Sequence, residues 1–133
     1  MFWGMGSLRI LIVDDHPGVR HSLRLLVQTH AEWTVCGEAT DGLDAVEQAR
    51  QLKPDVILLD ISMPRMNGIE ATPLIHAAVP GSEILIVSQH ESPELARLIA
   101  EAGAQGFIPK STIWRALVPA IESVGKKRSA DGS

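Results

Sequence analysis

A run of apolar residues that ends abruptly in a carboxylate constrains this sequence most strongly. The segment 56–59 is continuously apolar, is followed at once by Asp60, and is then interrupted by the turn-forming residues Pro64 and Asn67-Gly68. A short apolar run bounded by turn signals predicts a β-strand buried on both faces. Because an unpaired carboxylate is costly to bury within such a strand, we predict that Asp60 lies at its carboxyl end. Taken alone, Asp60 is equally well explained as a simple strand terminator.

Four further apolar runs alternate with segments whose apolar residues recur every three or four positions, a spacing typical of amphipathic helices. A chain of 133 residues has the length of one domain with a full core. Five strands alternating with five helices predict a three-layer α/β fold, with a parallel sheet between two layers of helices. The helices are predicted to bury Leu43, Leu74 and Leu98 among other apolar residues. The predicted strands are 8–13, 33–36, 56–60, 83–87 and 106–109.

Polar residues stand where the predicted strands end. Asp14 and Asp15 follow the first strand, and the third, fourth and fifth strands end at Asp60, Ser88 and Lys110. The carboxyl ends of parallel strands meet at one edge of the sheet, where such sheets bind ligands. Clustered carboxylates repel one another, and Mg²⁺ relieves this repulsion because it accepts one or two carboxylates together with water and phosphate oxygens. A carboxylate can also attack phosphorus to give an aspartyl phosphate, whose oxygens need cationic and hydrogen-bonding partners.

Four motifs together resemble the receiver domain of two-component response regulators. The resemblance extends from residue 8 to residue 124, and the Asp14-Asp15-His16-Pro17 and Lys110-Ser111 segments are most similar to the NarL/FixJ subfamily. It implies a flavodoxin-like (βα)5 fold with a parallel five-stranded sheet in the order 2-1-3-4-5. The motifs are Ile12–His16, Leu59–Pro64 through to Gly68, Ser88, and Phe107–Lys110.

The resemblance implies roles for the residues that match. Asp60 would accept a phosphoryl group from a histidine kinase or phosphotransfer protein, and Lys110 would bind one of the phosphoryl oxygens. Asp15 and Asp60 would ligate Mg²⁺ directly, together with the backbone carbonyl of Ser62. Asp14 would act on the ion mostly through water.

The resemblance also implies a switch in which Ser88 moves toward the phosphoryl group and Phe107 rotates with it. The residue after Ser88 is small in most of the family, whereas here it is Gln89, which is longer and carries both a donor and an acceptor. One hypothesis is that Gln89, with His90, covers the pocket and slows phosphoryl transfer. The alternative is that Gln89 points to solvent and has no effect.

Composition limits the partners and the compartment. The net charge of -4 gives no basis for direct nucleic-acid binding, and no apolar run is long enough for a membrane span, so a cytoplasmic protein is expected. The single Cys36 excludes a disulfide framework, and the five histidines show no metal-ligand spacing. We predict an N-terminal extension at 1–7, a receiver domain at 8–125, and a polar tail or the start of a linker at 126–133.

Three functions compete on the sequence alone. The first is a phosphorylation-controlled receiver, not an enzyme beyond self-catalysed phosphorylation and dephosphorylation, with a homodimer and a LuxR-type helix-turn-helix output domain in a longer chain as further expectations. The second is an interaction module of the same fold that phosphate does not regulate. The third is a hydrolase with an aspartyl-phosphate intermediate, of the haloacid-dehalogenase type, but its second Asp would fall where Ser62 stands.

Overall fold

The computed structural model describes residues 7–132, with side chains described for residues 7–125. Five parallel strands form one sheet in the order β2-β1-β3-β4-β5, which confirms the predicted fold. The strands are β1 (Leu8–Val13), β2 (Trp33–Ala39), β3 (Val56–Asp60), β4 (Glu83–Ser88) and β5 (Gly106–Pro109). The helices are α1 (Pro17–Gln28), α2 (Gly42–Leu52), α3 (Gly68–Ala78), α4 (Pro93–Ala102) and α5 (Ile113–Gly132), and a 3₁₀ turn (Lys110–Thr112) precedes α5.

The alternation of side chains along the strands divides the core into two layers. Ile10 and Ile12 of β1 pack with residues of α1 and α5 on one face of the sheet. Leu11 and Val13 pack with α2, α3 and α4 on the other face. Strand β3 lies at the centre of the sheet and is buried along its whole length, as its continuous apolar run predicted.

Strand β2 is longer than predicted, since it continues past Cys36 to Ala39. Glycine is unfavourable in strands, so Gly37 marked an end in the sequence. In the fold, a Cβ atom at Gly37 would overlap the Leu52 side chain of α2. The glycine therefore allows α2 to lie against the strand without ending it.

The prediction that Leu43, Leu74 and Leu98 face the core was wrong, because all three side chains are exposed. In α2 the buried positions belong to Ala45 and Ala49, whose small side chains let the helix approach the sheet closely. A three- and four-residue spacing identifies an apolar face, but it does not decide which edge of that face contacts the sheet.

The predicted domain boundaries lie at the ends of the described region. Helix α5 continues to Gly132, so the backbone of residues 126–132 is helical. The polar tail or start of a linker at 126–133 stays a prediction. Of the predicted extension at 1–7, only Ser7 is among the described residues. The receiver boundaries of 8–125 remain a prediction.

Candidate functional site

The carboxyl ends of β1 and β3 bring two buried carboxylates together. Strand β1 pairs with β3 up to Val13 and Leu59, so Asp14 and Asp60 follow on neighbouring strands. Asp14 has no exposed surface and Asp60 is only 4% exposed. The backbone N–H of Asp14 donates to the Ala39 carbonyl at 3.1 Å, which holds the chain against β2 as it leaves the sheet. Both carboxylates are therefore fixed by the backbone of the sheet.

Lys110 reaches these carboxylates from the far side of the site. It follows β5 directly, and its Nζ atom lies 3.1 Å from Asp14 Oδ2 and 3.2 Å from Asp60 Oδ1. Its side chain is 16% exposed, so water screens these contacts less than it screens a surface pair. The ammonium group thus bridges the two buried acids.

Burial and like charge set the protonation of this cluster. Desolvation by burial raises the pKa of Asp60 above its ordinary value, the charge of Asp14 raises it further, and Lys110 opposes both effects. Desolvation alone would lower the pKa of Lys110, but its hydrogen bond to Asp14 and its attraction to Asp60 outweigh that effect and raise it. Lys110 is therefore held in its charged form, while the negative charge on Asp60 carries an energetic cost.

Asp15 supplies a third carboxylate, and one of its oxygens is buried beside His16. Asp15 Oδ1 lies 3.0 Å from His16 Nδ1 but meets no hydrogen-bond geometry with the residues that the structure describes. One ammonium against three carboxylates leaves excess negative charge, and hard carboxylate oxygens are the ligands that Mg²⁺ prefers. The residues present therefore fit Mg²⁺, and its binding at this site stays a prediction.

His16 lies beside the acids, which sequence reasoning missed. Its Nδ1 atom is 3.3 Å from Asp14 Oδ1 and 3.0 Å from Asp15 Oδ1, and ligand atoms of these three residues lie within 4.8 Å of one another. Asp60, predicted as a direct ligand, is not in that group, and its Oδ1 atom lies 3.2 Å from Lys110 Nζ. The sequence signal for this contact is the position of His16 directly after two aspartates.

The loop between β3 and α3 begins at the candidate phosphoacceptor and carries Ser62. Gly68 ends this loop against the backbone of Asp60, where a Cβ atom would overlap the Asp60 carbonyl oxygen. Asn67 caps α3 by accepting from the Glu70 N–H at 2.8 Å, and the Glu70 carboxylate accepts from the Asn67 N–H at 3.1 Å. This capping box fixes the exit of the loop.

The predicted switch residues occupy the neighbouring strands. Ser88 is buried at the end of β4, and its Oγ accepts from the His90 N–H at 3.1 Å. Phe107 of β5 is partly buried against the core layer on the side of α2, α3 and α4. Gln89 and His90 are both exposed. This exposure agrees with the solvent-facing alternative for Gln89, and its effect on the pocket remains a prediction.

A parallel five-stranded sheet with an acidic pocket at its carboxyl edge is the architecture of flavodoxin-like α/β proteins. Residues 10–122 match the family of response regulator receiver domains. The chain therefore belongs to the response regulator receiver domain family.

Individual relatives agree with this assignment. The uncharacterized transcriptional regulatory protein YxjL of Bacillus subtilis is 39% identical over 120 residues, which cover 90% of this chain and 55% of that protein. A LuxR-family two-component response regulator from Aurantimonas matches with a TM-score of 0.88 and 36% identity, covering 92% of this chain and 88% of that chain. A chain in the CheX–CheY complex of Borrelia burgdorferi matches with a TM-score of 0.83 and 25% identity, and 90% of each chain is covered.

These comparisons confirm the resemblance, including its relation to NarL- and LuxR-type regulators. The chain spans about half the length of several curated relatives that it matches, such as the 55% of YxjL. No helix within residues 7–132 combines the length and the apolar character that a membrane crossing requires.

Proposed function

We propose that this receiver is controlled by phosphorylation and that Asp60 accepts a phosphoryl group from a histidine kinase or phosphotransfer protein. The observation that carries the proposal is the Asp60 carboxylate, buried at the end of the central strand with Lys110 Nζ at 3.2 Å. A cation held beside a nucleophilic oxygen can stabilise the negative charge that develops on the phosphoryl oxygens during transfer.

The transfer reaction follows from these positions. An Asp60 oxygen attacks phosphorus as the N–P bond of a phosphohistidine breaks, and the imidazole leaves with the electron pair and takes a proton from water. Lys110 then binds a phosphoryl oxygen, and its contacts with Asp14 and Asp60 weaken.

Mg²⁺, held by Asp15, Asp60 and the Ser62 carbonyl with Asp14 acting through water, would neutralise negative charge on the transferring group. The buried Asp15 oxygen, which meets no hydrogen-bond geometry, supports this part of the proposal. The Borrelia complex supports it by analogy, since that complex contains both BeF3 and Mg²⁺.

The proposed output is a change in the conformation of one surface of the domain. Ser88 lies beside the pocket and Phe107 stands on the next strand, so a phosphoryl group bound by Ser88 would bias the surface formed by α4, β5 and α5. The proposed partners of that surface are a second copy of the chain and, in a longer chain, a LuxR-type output domain. The descriptions of relatives as transcriptional regulators favour such an output.

The proposal is tested by incubating the protein with acetyl phosphate and Mg²⁺ and measuring its intact mass. We expect one added phosphoryl group per chain, and none when EDTA removes the metal before the donor is added, because the metal offsets repulsion between the acids and the donor. Sedimentation of the same sample tests for dimer formation, and hydrogen exchange tests for a change in β4, α4 and β5. An unchanged mass with a folded protein would contradict the proposal and favour the interaction module that phosphate does not regulate.

Replacing Gln89 by Ala tests whether this side chain covers the pocket. If it does, Gln89→Ala speeds both phosphorylation by acetyl phosphate and loss of the phosphoryl group by about tenfold, which corresponds to about 1.4 kcal/mol of barrier. The affinity for Mg²⁺ stays unchanged. Both rates are followed by intact mass against time, and His90→Ala is measured alongside. Equal rates in Gln89→Ala and the parent protein would eliminate the covering role.

A further inference from the structure

The N-terminus of α2 contacts the loop that follows Asp60. Asp41 caps this helix by accepting from the Asp44 N–H at 2.8 Å, and its side chain is 2% exposed. The second oxygen of Asp41 accepts a hydrogen bond from the guanidinium group of Arg65, which lies in the β3–α3 loop. A buried helix cap thus also serves as the anchor of a loop from a different part of the chain.

Arg65 adopts a backbone conformation that non-glycine residues rarely adopt. Its φ angle is 66°, in the left-handed region, although its side chain is 64% exposed and is not held by a packed core. Such a conformation persists only where the surroundings impose it. The described contact that the side chain makes is the ion pair with buried Asp41.

The backbone holds the loop at the same point. The Gly42 N–H donates to the Met66 carbonyl at 3.0 Å, and a Cβ atom at Gly42 would overlap that oxygen. The ends of the loop are joined independently, since the Gly68 N–H donates to the Ile61 carbonyl at 2.9 Å. Ser62 lies between these two attachments.

We propose that Asp41 and Arg65 are positioning residues for the metal and phosphoryl site, because their ion pair fixes the loop that presents the Ser62 carbonyl beside Asp60. The inference rests on the proposed function, in which that carbonyl binds Mg²⁺. Neither Asp41 nor Arg65 touches the metal or the phosphoryl group, and they act through the loop. Partners that orient metal ligands commonly contribute to metal affinity.

The inference is tested with Arg65→Ala, Asp41→Asn and the double variant, with Arg65→Lys as the conservative replacement. Asp41→Asn keeps a side-chain oxygen for the helix cap, so it removes the charge while the cap remains. Arg50→Ala is the matched control, since Arg50 forms an exposed ion pair with Glu47 at 2.9 Å on the same helix. Two quantities are measured in each protein, the exchange rates of individual backbone amides and the dissociation constant for Mg²⁺.

We expect faster exchange at the amides of Gly42 and Met66 in Arg65→Ala and Asp41→Asn, while the Gly68 amide stays as protected as in the parent. The affinity for Mg²⁺ falls by about tenfold in each single variant and no further in the double variant, because both remove the same contact. Arg65→Lys restores part of the affinity, and Arg50→Ala matches the parent in both measurements.

Unchanged amide exchange, or faster exchange with unchanged Mg²⁺ affinity, would overturn the positioning role. Failure of the proposed function has a different signature. In that case the parent protein itself neither binds Mg²⁺ nor takes up a phosphoryl group, which also overturns the role in metal binding. When only the positioning role fails, the parent binds Mg²⁺ normally and the variants match it.

Discussion

Replacing Asp60 by Asn is expected to abolish acyl phosphate formation and to make the metal-free protein more stable. The amide has no anionic oxygen to attack phosphorus, so intact mass after treatment with acetyl phosphate and Mg²⁺ should stay at the unmodified value. The same change removes a buried negative charge that faces Asp14, at 4% exposure. We expect the free energy of unfolding to rise on the order of 1 kcal/mol at neutral pH.

The sign of this stability change depends on pH in a defined way. Burial, and then the charge of Asp14, raise the pKa of Asp60 in the folded protein above its ordinary value. A raised pKa means that ionisation costs stability as the pH rises through the folded value. The advantage of Asp60→Asn should therefore be present at neutral pH and disappear below the ordinary pKa of an aspartate.

Urea denaturation at a series of pH values measures this dependence. Glu91→Gln serves as the control, because Glu91 is exposed and the replacement removes the same formal charge. We expect that control to be phosphorylated like the parent. Phosphoryl uptake by Asp60→Asn at the level of the parent would refute Asp60 as the acceptor, and a large loss of stability at neutral pH would refute the account of the buried charge.

Replacing Lys110 by Met is expected to make the protein less stable and to strengthen its binding of Mg²⁺. The variant leaves Asp14 and Asp60 without the ammonium that lies 3.1 and 3.2 Å from them. Removing one partner of a buried ion pair leaves uncompensated charge, so we expect a loss of about 3 kcal/mol at neutral pH. We also expect tighter binding of Mg²⁺, because the cation then neutralises more charge, and slower phosphorylation, because a phosphoryl oxygen loses its cationic partner.

The pH dependence again follows from the carboxylates. In the variant, Lys110 no longer lowers the pKa of Asp60, so the pKa of Asp60 in the folded protein rises further. The stability deficit of Lys110→Met should therefore grow as the pH rises and be smaller at acidic pH, where the acids are protonated. Calorimetric titration with Mg²⁺ and urea denaturation at several pH values measure both effects.

Arg24→Met provides the comparison for Lys110→Met. Arg24 forms an ion pair with Glu38 in which both side chains retain substantial exposure. Its loss should cost about 1 kcal/mol or less and leave Mg²⁺ binding unchanged. Equal stability losses in the two variants, or weaker Mg²⁺ binding in Lys110→Met, would contradict the bridging role of Lys110.

The layer architecture and the edge of the sheet that carries the candidate site could be predicted from local patterns in the sequence. Strand β3 could be predicted because its buried apolar run is local and ends in Asp60, where continued burial would be costly. The same local reasoning placed Asp14, Ser88 and Lys110 at strand ends. Since the carboxyl ends of parallel strands share one edge, these residues could be assigned to one pocket before any distance was known.

Which groups meet within that pocket depends on the packing of distant segments and could not be predicted from the sequence. Lys110 bridges Asp14 and Asp60 across 96 and 50 positions of the chain, and local patterns do not encode the reach of a long side chain over such separations. The ion pair of Arg65 with Asp41 likewise joins two loops 24 residues apart. Strand periodicity fixes the face and the edge on which a residue lies, whereas contacts between loops depend on how helices pack against the sheet.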